Sequence, residues 1–192
     1  MSESTIDGRR AKGERRRRAL IDATLRVVAR DGVSGVTHRT VAREADVPTT
    51  ASTYYFASID DLLCDALSTC MREDAEKLRV IADSLPDDVD CRPAIAAMMA
   101  DLVAKPDGHL LAEYELFLLA ARRPELREST ELWAAAAAEF ARRFTTDPVR
   151  VDLFVSAFDG LLLRALLANR EYTAADFEAA LRILLPWPAP EA

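Results

Sequence analysis

The sequence predicts an all-α protein, and three observations support this prediction. After residue 13, apolar residues recur mostly at intervals of three and four, as they do on one face of a helix. Capping residues, glycines and prolines divide the chain into segments of helical length. No segment of convincing length alternates apolar and polar residues as a half-buried strand would. The pattern predicts roughly eight or nine helices in two groups.

The first group contains three helices within residues 14–56. The first helix ends at about Asp31, because Gly32 stands where a left-handed backbone is expected. The hydroxyl of Thr37 can cap a second helix, which continues through Ala45. Pro48 interrupts the pattern, since proline disfavours helical geometry at the residue before it but suits the first turn of a new helix. The third helix is therefore the segment "PTTASTYYF".

The helices of the second group are longer. Ser58 and Asp61 have the spacing of a capping box, and they open a helix that continues to about Leu85. Further helices are expected from Pro93 to about Lys105, over "HLLAEYELFLLAARR" up to Pro124, over "PELRESTELWAAAAAEFARRF" with or without a break near Ser129, and over residues 148–169 and 174–185. The last few residues are expected to form a flexible tail.

Positive charge is concentrated near the N-terminus. The chain has a formal net charge of −7, yet residues 1–60 carry 11 Lys and Arg against 8 Asp and Glu. The segment "RRAKGERRRR" at residues 9–18 alone has seven positive side chains and one negative. A cationic arm on an otherwise acidic protein attracts polyanions, so nucleic acid or an anionic membrane surface is the expected partner. A solvated tail without a binding role is the alternative.

Several other classes of protein are disfavoured by the sequence. Apolar runs such as "LWAAAAA" are too short to cross a bilayer, and no signal-like segment follows the N-terminal charges, so we expect a cytoplasmic protein. Cys64, Cys70 and Cys91 form no CxxC pair and are expected to be reduced thiols, with no metal site and no cofactor. His38 and His109 are isolated, and no Gly-rich phosphate loop occurs, so the chain is not expected to be an enzyme.

The segment "THRTVAREADVPTTASTYYF" satisfies the geometry of a helix-turn-helix. Its first helix would place Val41, Ala42 and Ala45 inward, and Val47 would fill the turn. Its second helix would present residues 49, 50 and 53–55 outward. An α-helix fits the major groove of DNA, where hydroxyls and cations hold phosphates and side chains contact base edges. The segment is therefore a candidate recognition element for DNA.

Residues 20–63 resemble the N-terminal domain of the tetracycline-repressor (TetR) family of bacterial transcription regulators. The resemblance lies in "LIDATLRVVARDG" and "VTHRTVAREADVPTTASTYYFASIDDLL", where glycine, turn, aromatic and capping positions coincide with the family pattern. Three positions depart from it. Asp46 replaces the turn glycine, Thr53 replaces a frequent tyrosine, and Ile59 replaces a lysine that often contacts phosphate. Positive charge at Arg15–Arg18 is the expected substitute for that lysine.

The resemblance implies a set of DNA contacts. Thr37 and His38 would meet phosphate at the start of the second helix, and Arg39 would reach a base, where a bidentate arginine–guanine pair contributes about 1–3 kcal/mol of discrimination. The third helix would read base edges and grip the backbone through Thr49, Thr50, Thr53, Tyr54 and Tyr55. Phe56 is expected in the core of the helix-turn-helix domain, which is called the head below. A core role is also the alternative for Tyr55.

The resemblance also implies a domain order and a homodimer. The expected domains are a disordered basic arm at 1–12, a helix-turn-helix DNA-binding domain at 13–57, an effector-binding and dimerisation domain at 58–185, and a flexible tail at 186–192. The last two helices would pair two chains so that their recognition helices lie about one DNA turn, ~34–36 Å, apart. The expected interface residues are Phe154, Phe158, Leu161, Leu162, Ala165, Phe177, Leu181 and Leu184, with an ordinary monomer core as the alternative.

In the family, the middle helices enclose a small-molecule site. Large apolar groups with one carboxylate are the candidates for that pocket here: Met98, Met99, Leu102, Glu113, Tyr114, Phe117, Leu118, Trp133 and Phe140. Such a pocket would suit a lipophilic or aromatic effector, although the same residues would serve as plain core. The implied function is a homodimeric repressor released from a palindromic operator by that effector. The alternative is a DNA-binding dimer with no effector.

Overall fold

The computed structural model of the chain describes residues 3–86 and 89–186, which confirm the all-α prediction. Within these ranges there are nine α-helices and no strand. The helices are α1 (Glu3–Asp31), α2 (His38–Glu44), α3 (Thr49–Tyr55), α4 (Ile59–Ser84), α5 (Arg92–Ala104), α6 (His109–Leu119), α7 (Arg127–Ala141), α8 (Pro148–Leu166) and α9 (Ala174–Leu184). Short 3₁₀ turns at Val33–Gly35 and Pro124–Leu126 precede α2 and α7.

The start of α1 differs from the sequence prediction. The helix begins at Glu3 and so includes residues 3–12, for which the charge pattern predicted a disordered arm. The residues Arg9, Arg10, Ala11 and Lys12 favour a helix. An ion pair one turn apart, between Arg10 Nε and Glu14 Oε1 at 3.2 Å, adds to that preference. Of the predicted flexible tail, residues 187–192 lie outside the described residues.

Helix ends follow the capping signals of the sequence. The hydroxyl of Thr37 accepts the backbone N–H of Thr40 at 3.0 Å at the start of α2. At the start of α4, Asp61 N–H donates to Ser58 Oγ at 3.0 Å, and Ser58 N–H donates to an Asp61 carboxylate oxygen at 3.0 Å. These reciprocal bonds satisfy backbone donors that the first helical turn leaves unpaired. Local chemistry therefore sets these boundaries.

The chain folds into two compact units. One consists of Met1–Thr69 and Asp107–Leu126, and the other of Cys70–Pro106 and Arg127–Ala192. The first unit therefore joins α1 to α3, the beginning of α4 and all of α6. Its core includes Leu20, Val27, Val41 and Phe56. The core of the second includes five phenylalanines, namely Phe140, Phe144, Phe154, Phe158 and Phe177. Within the described ranges, no helix combines the length and the apolar composition that a bilayer crossing requires.

Candidate nucleic-acid interface

The turn between α2 and α3 is held by its own backbone. Asp46 has a φ of 52°, in the left-handed region that Asp tolerates better than most residues. Immediately after it, Val47 N–H donates to the carbonyl of Ala42 at 2.9 Å. Val41 and Ala42 are buried beneath this turn, as the sequence predicted. The departure of Asp46 from glycine therefore leaves the turn geometry intact.

The recognition helix α3 has two faces of different character. Ser52, inside it, and Phe56, directly after it, are buried, with 0% and 2% of their surface exposed, and they anchor the helix to the first unit. On the other face, Thr49, Thr50 and Tyr54 are exposed, and Tyr54 has 81% of its surface accessible. Thr53 is exposed as well, and its hydroxyl donates to the carbonyl of Thr50 at 3.3 Å. The face turned to solvent therefore carries hydroxyls and a phenol without formal charge.

A side-chain hydrogen bond joins α2 to α3. His38 Nδ1 lies 2.8 Å from Ser52 Oγ, and the imidazole is half-buried. Sequence reasoning assigned His38 to phosphate contact and did not single out Ser52. The helical period alone places residue 52 on the face opposite residues 50 and 54, which was the available signal. The bond gives His38 a positioning role for α3.

Two further side chains of α2 face solvent. Thr37 is exposed, and its hydroxyl is engaged in the cap of α2. Arg39 is exposed and forms no ion pair with any side chain that the structure describes. Its guanidinium is therefore available to a ligand, since no internal carboxylate competes for it.

Neighbouring arginines of α1 are committed to the fold instead. Arg26 Nε lies 2.9 Å from Glu44 Oε1, and Arg30 Nη1 lies 2.8 Å from Glu44 Oε2. The hydrogen bonds from Arg30 and then Arg26 lower the pKa of Glu44 below its ordinary value. The triad ties α1 to the end of α2. These two arginines thus orient the helix-turn-helix.

Tyr55 and Phe56 pack toward α1. Phe56 is buried, as predicted, and the guanidinium carbon of Arg17 lies 5.4 Å from its ring centroid. Tyr55 is half-buried and meets Tyr54 edge to face, with ring centroids 5.1 Å apart. A Cβ at Gly13 would lie 3.5 Å from the Tyr55 hydroxyl. The end of α3 therefore lies against the basic half of α1.

Helix α6 contacts the connection between α1 and α2. Val33 N–H donates to Glu115 Oε2 at 3.2 Å. Gly108, at the N-cap of α6, has a φ of 70°, and a Cβ there would approach Ala29 Cβ to 2.9 Å. Only glycine meets both demands without strain. The sequence predicts α6 to belong to the effector domain, whereas these contacts join it to α1 and to the connection between α1 and α2.

The predicted pocket residues occupy different places. Met98 and Leu102 line a groove between α4 and α5 with a volume of about 800 Å³, together with exposed Val80. The groove also carries three carboxylates and two lysines, namely Glu73, Glu76, Asp101, Lys77 and Lys105. Lys77 Nζ lies 2.6 Å from Asp74 Oδ1, which offsets its charge. The groove is therefore apolar, with a small excess of carboxylates over ammonium groups among its lining residues.

The other predicted pocket residues do not line this groove. Met99 is fully buried, and Trp133 and Phe140 are nearly so. On α6, in the other compact unit, Tyr114 is buried, Glu113 and Phe117 are half-buried, and Leu118 is 65% exposed. The apolar spacing predicted that these residues face inward, and it could not assign them to one cavity.

An aromatic cluster with a buried carboxyl lies in the second unit. Trp133 and Phe158 have ring centroids 5.1 Å apart, and Trp133 Nε1 donates to Asp159 Oδ1 at 3.1 Å. Burial raises the pKa of Asp159 to about 6, although the bond from Trp133 acts in the opposite direction. Sequence reasoning missed Asp159. Its signal was a carboxylate directly after Phe158, among the apolar residues of α8.

The structure corrects the predicted dimer interface. Six of its eight residues are buried in the chain's own core: Phe154, Phe158, Leu162, Ala165, Phe177 and Leu181. Leu161 and Leu184 are half-buried. A side chain without accessible surface cannot contact a second chain while the fold is intact. The strongest apolar stripe of α8 therefore marks the core and not a docking face.

A second stripe on α8 is exposed. Val149, Leu153, Leu163 and Leu167 recur at helical spacing and have between 37% and 74% of their surface accessible. Gly160 lies on the same face, and a Cβ built there would meet nothing within 4 Å. On α9, Ile183 is 80% exposed. This apolar surface is what a single chain leaves uncovered.

Comparison with known protein families covers most of the chain. Residues 20–66 match the family described as bacterial regulatory proteins, tetR family. Residues 91–187 match the family described as tetracyclin repressor-like, C-terminal domain. Together the two matches extend over both compact units.

Two curated relatives regulate transcription. The chain is 34% identical over 131 residues to a nicotine-responsive transcriptional repressor of Paenarthrobacter nicotinovorans, a match over 65% of this chain and 60% of that repressor's length. It is 29% identical over 180 residues to the transcriptional regulator BetI of Paraburkholderia phymatum, covering 88% of this chain and 89% of BetI. Both are regulators, as expected of a chain that is not an enzyme.

Solved structures show the same fold. The multidrug binding protein EbrR, in complex with imidazole, superposes with a TM-score of 0.71 at 35% identity, covering 91% of this chain and 97% of EbrR. A second crystal structure of EbrR contains ethidium. A TetR-family protein from Streptomyces coelicolor A3 gives a TM-score of 0.73 at 35% identity, covering 89% of this chain and 98% of that one.

Proposed function

The chain belongs to the TetR family of bacterial transcription regulators, and from this membership we propose that it is a homodimeric repressor released from a palindromic operator by a small lipophilic or aromatic effector. The observation that carries the proposal is that α3 has one buried face and one exposed face. Its inner face is fixed by Ser52 and Phe56, so its outer face can meet a second molecule without rearranging the head.

The outer face supplies the groups that DNA recognition requires. Thr49 and Thr50 reach base edges in the major groove, and Arg39 pairs with a guanine through two nitrogens. Tyr54 offers its phenol to a phosphate and its ring to a sugar or a thymine methyl group. This assignment is supported by the exposure of all four side chains.

Phosphate contacts surround these groups. Thr37, His38, Thr53 and Tyr55 position the head on the backbone. Thr37 donates its hydroxyl hydrogen to a phosphate oxygen, and it lies at the N-terminus of α2, where backbone N–H groups attract anions. Such contacts fix the register of the head and carry no sequence information themselves.

Dimerisation rests on the exposed stripe of α8. Two copies of Val149, Leu153, Leu163 and Leu167 bury one another around a symmetry axis, and Gly160 lets the two helices approach closely. A symmetric pair of heads matches a palindromic operator, with half-sites about one DNA turn, ~34–36 Å, apart.

The effector is proposed to be an aromatic, cationic molecule. The groove lined by Met98 and Leu102 combines apolar walls with three carboxylates and two lysines, and one of these lysines is paired with Asp74. EbrR is a multidrug binding protein crystallised with ethidium, and the Paenarthrobacter relative is nicotine-responsive. A ligand that prefers one arrangement of the regulator weakens operator binding by its differential affinity, typically about 1–3 kcal/mol.

A DNA-binding dimer without an effector is the second candidate. The burial of Met99, Trp133 and Phe140 favours it, because these predicted pocket residues present almost no accessible surface to a ligand. Release of a bound operator duplex by nicotine at micromolar concentration would decide against this candidate.

The decisive experiment selects duplexes from a random library with the purified protein at physiological salt. We expect a palindrome whose half-sites lie about 10 base pairs apart, centre to centre. Arg39→Ala should weaken binding of the selected duplex by about 1–3 kcal/mol, whereas the control Arg127→Ala, at an exposed position outside the head, should not. Recovery of unrelated sequences only would overturn the proposed function.

A further inference from the structure

The basic N-terminal half of α1 is helical, and its charges fall into two sets. Some are neutralised within the chain: Arg10 pairs with Glu14, Arg18 Nε lies 2.7 Å from Asp22 Oδ1, and Arg17 pairs with Asp65 and covers Phe56. The sequence alone presents these arginines as equivalent. Their partners remove them from competition for an external anion.

The second set consists of Lys12, Arg15 and Arg16. All three are exposed, and none makes a hydrogen bond or an ion pair with a side chain that the structure describes. Three neighbouring cations without an internal carboxylate repel one another, which lowers stability slightly unless an anion offsets the charge. The set is therefore suited to an external polyanion.

The helical period separates these three side chains. With 3.6 residues per turn, Arg16 and Lys12 lie about 60° and 100° from Gly13 on the same side, and Arg15 lies about 160° away. Gly13 faces the hydroxyl of Tyr55, because a Cβ there would lie 3.5 Å from it. Lys12 and Arg16 therefore border the end of the recognition helix, whereas Arg15 points to the opposite side of α1.

The composition of this half-helix favours DNA over a membrane. Between Arg10 and Ala19 the side chains other than charged ones are two alanines, and Gly13 has none. A helix that lies on a bilayer needs an apolar face of large side chains to insert between the lipids. Phosphates of DNA require only charge at the correct distance.

We propose that Lys12 and Arg16 form a second DNA contact, which holds the phosphate backbone beside the end of α3. The contact rests on the proposed DNA binding and adds to it a site outside the helix-turn-helix. It supplies positive charge next to a recognition helix that has none, and it stands in for the lysine that Ile59 replaces.

The test is the salt dependence of affinity for the duplex selected above. Each phosphate contact contributes about 0.9 to the magnitude of the negative slope of log affinity against log salt. The double variant Lys12→Gln with Arg16→Gln should therefore reduce the magnitude of this slope by about 1.8 per head. Between 50 and 200 mM salt, wild type should then lose about tenfold more affinity per head than the variant.

Three controls define the result. Arg15→Gln, on the far side of the same helix, and the distant pair Arg127→Gln with Arg142→Gln should leave the slope at the wild-type value. The charge-preserving pair Lys12→Arg with Arg16→Lys should retain it as well. Far-ultraviolet circular dichroism checks that each variant keeps its helix content.

Two outcomes overturn this inference while leaving the proposed function intact. One is a double variant that binds the selected duplex with an unchanged slope. The other is a double variant with unchanged DNA binding that loses binding to vesicles of phosphatidylserine and phosphatidylcholine, which would assign the pair to membranes. Failure of the wild-type protein to select any duplex would instead overturn the proposed function itself.

Discussion

The surface of α2 and α3 and the surface of α8 and α9 are built from opposite chemistries. Around α3, hydroxyls, a phenol and one unpaired arginine face solvent, and a small core lies beneath them. On α8, leucines and a valine face solvent above a core of aromatic rings. The first surface suits a charged, hydrated partner, and the second suits another apolar surface.

This contrast predicts two associations with opposite responses to salt. Contacts with phosphate release counterions and weaken steeply as salt increases. Burial of apolar area depends little on ionic strength at moderate concentrations. Raising salt should therefore detach the protein from DNA before it separates two chains.

The largest effect is expected where the core beneath α8 is opened. Phe154→Ala should lower the free energy of unfolding by about 3–5 kcal/mol, because it leaves a cavity among Phe140 and Phe158. The adjacent Leu153→Ala should change the stability of the single chain by at most about 0.5 kcal/mol, since Leu153 is 55% exposed. Urea unfolding measures the stability of both variants. Equal losses in the free energy of unfolding would contradict the assignment of Phe154 to the core and of Leu153 to the docking face.

Dimerisation is tested at Gly160. Gly160→Leu should weaken self-association at least about 100-fold by separating the paired helices, while the folded chain gains up to about 1 kcal/mol from the better helix former. The open space around Gly160 makes this combination possible. Analytical ultracentrifugation measures it against Ala135→Leu, at an exposed position on α7. An unaltered dimer would place the interface elsewhere.

A smaller, pH-dependent effect is expected at Asp159. Because burial raises its pKa to about 6, the stability of the protein should fall as the pH rises from the ordinary carboxyl value through about 6. Asp159→Asn keeps an acceptor for Trp133 and avoids ionisation, so it should stabilise the protein by about 2 kcal/mol at pH 8 and little at pH 4. Urea unfolding at both pH values measures this, with Asp152→Asn on the exposed face as control. Equal effects at both values would contradict it.

The smallest effect separates the two faces of α3. Tyr54→Phe should weaken DNA binding by about 0.5–1.5 kcal/mol through loss of one hydrogen bond and leave stability unchanged. Ser52→Ala should instead destabilise the head by about 1 kcal/mol, because His38 loses its buried partner. Thermal unfolding and duplex titration of both variants give the comparison. A stability loss in Tyr54→Phe would contradict the solvent-facing role of its hydroxyl.

Much of the fold could be predicted because its signals are local. The starts of α2 and α4 are marked by Thr37, Ser58 and Asp61. Their capping hydrogen bonds join residues three positions apart, and the structure contains those bonds. The exposed hydroxyls of α3 were equally predictable, because polar groups on the helix face opposite the buried Phe56 are expected to face solvent.

Most of the residues that the sequence predicts for a dimer interface are buried, and there is a physical reason. A core residue such as Phe158 and an exposed residue such as Leu167 are chemically alike, and the helical period of α8 is the same for both. Only the position of neighbouring helices decides which stripe is covered. The buried carboxyl of Asp159 and the contact of Glu115 with Val33 depend on such long-range packing too.

The prediction for the basic arm also depends on two opposing signals. Its charge suggested a solvated, disordered segment, while the helix propensity of Lys, Arg, Ala and Glu supports a helix. The bond of Arg17 to Asp65, which joins residues far apart in the chain, could not be read from the sequence.

The division of α3 has a consequence for how such regulators diverge. Thr49, Thr50 and Arg39 expose their side chains and add nothing to the core, whereas Ser52, His38 and Phe56 hold the helix in place. Substitutions in the first set therefore change the free energy of unfolding very little. A duplicated gene can acquire a new operator preference through them while every intermediate remains a folded protein.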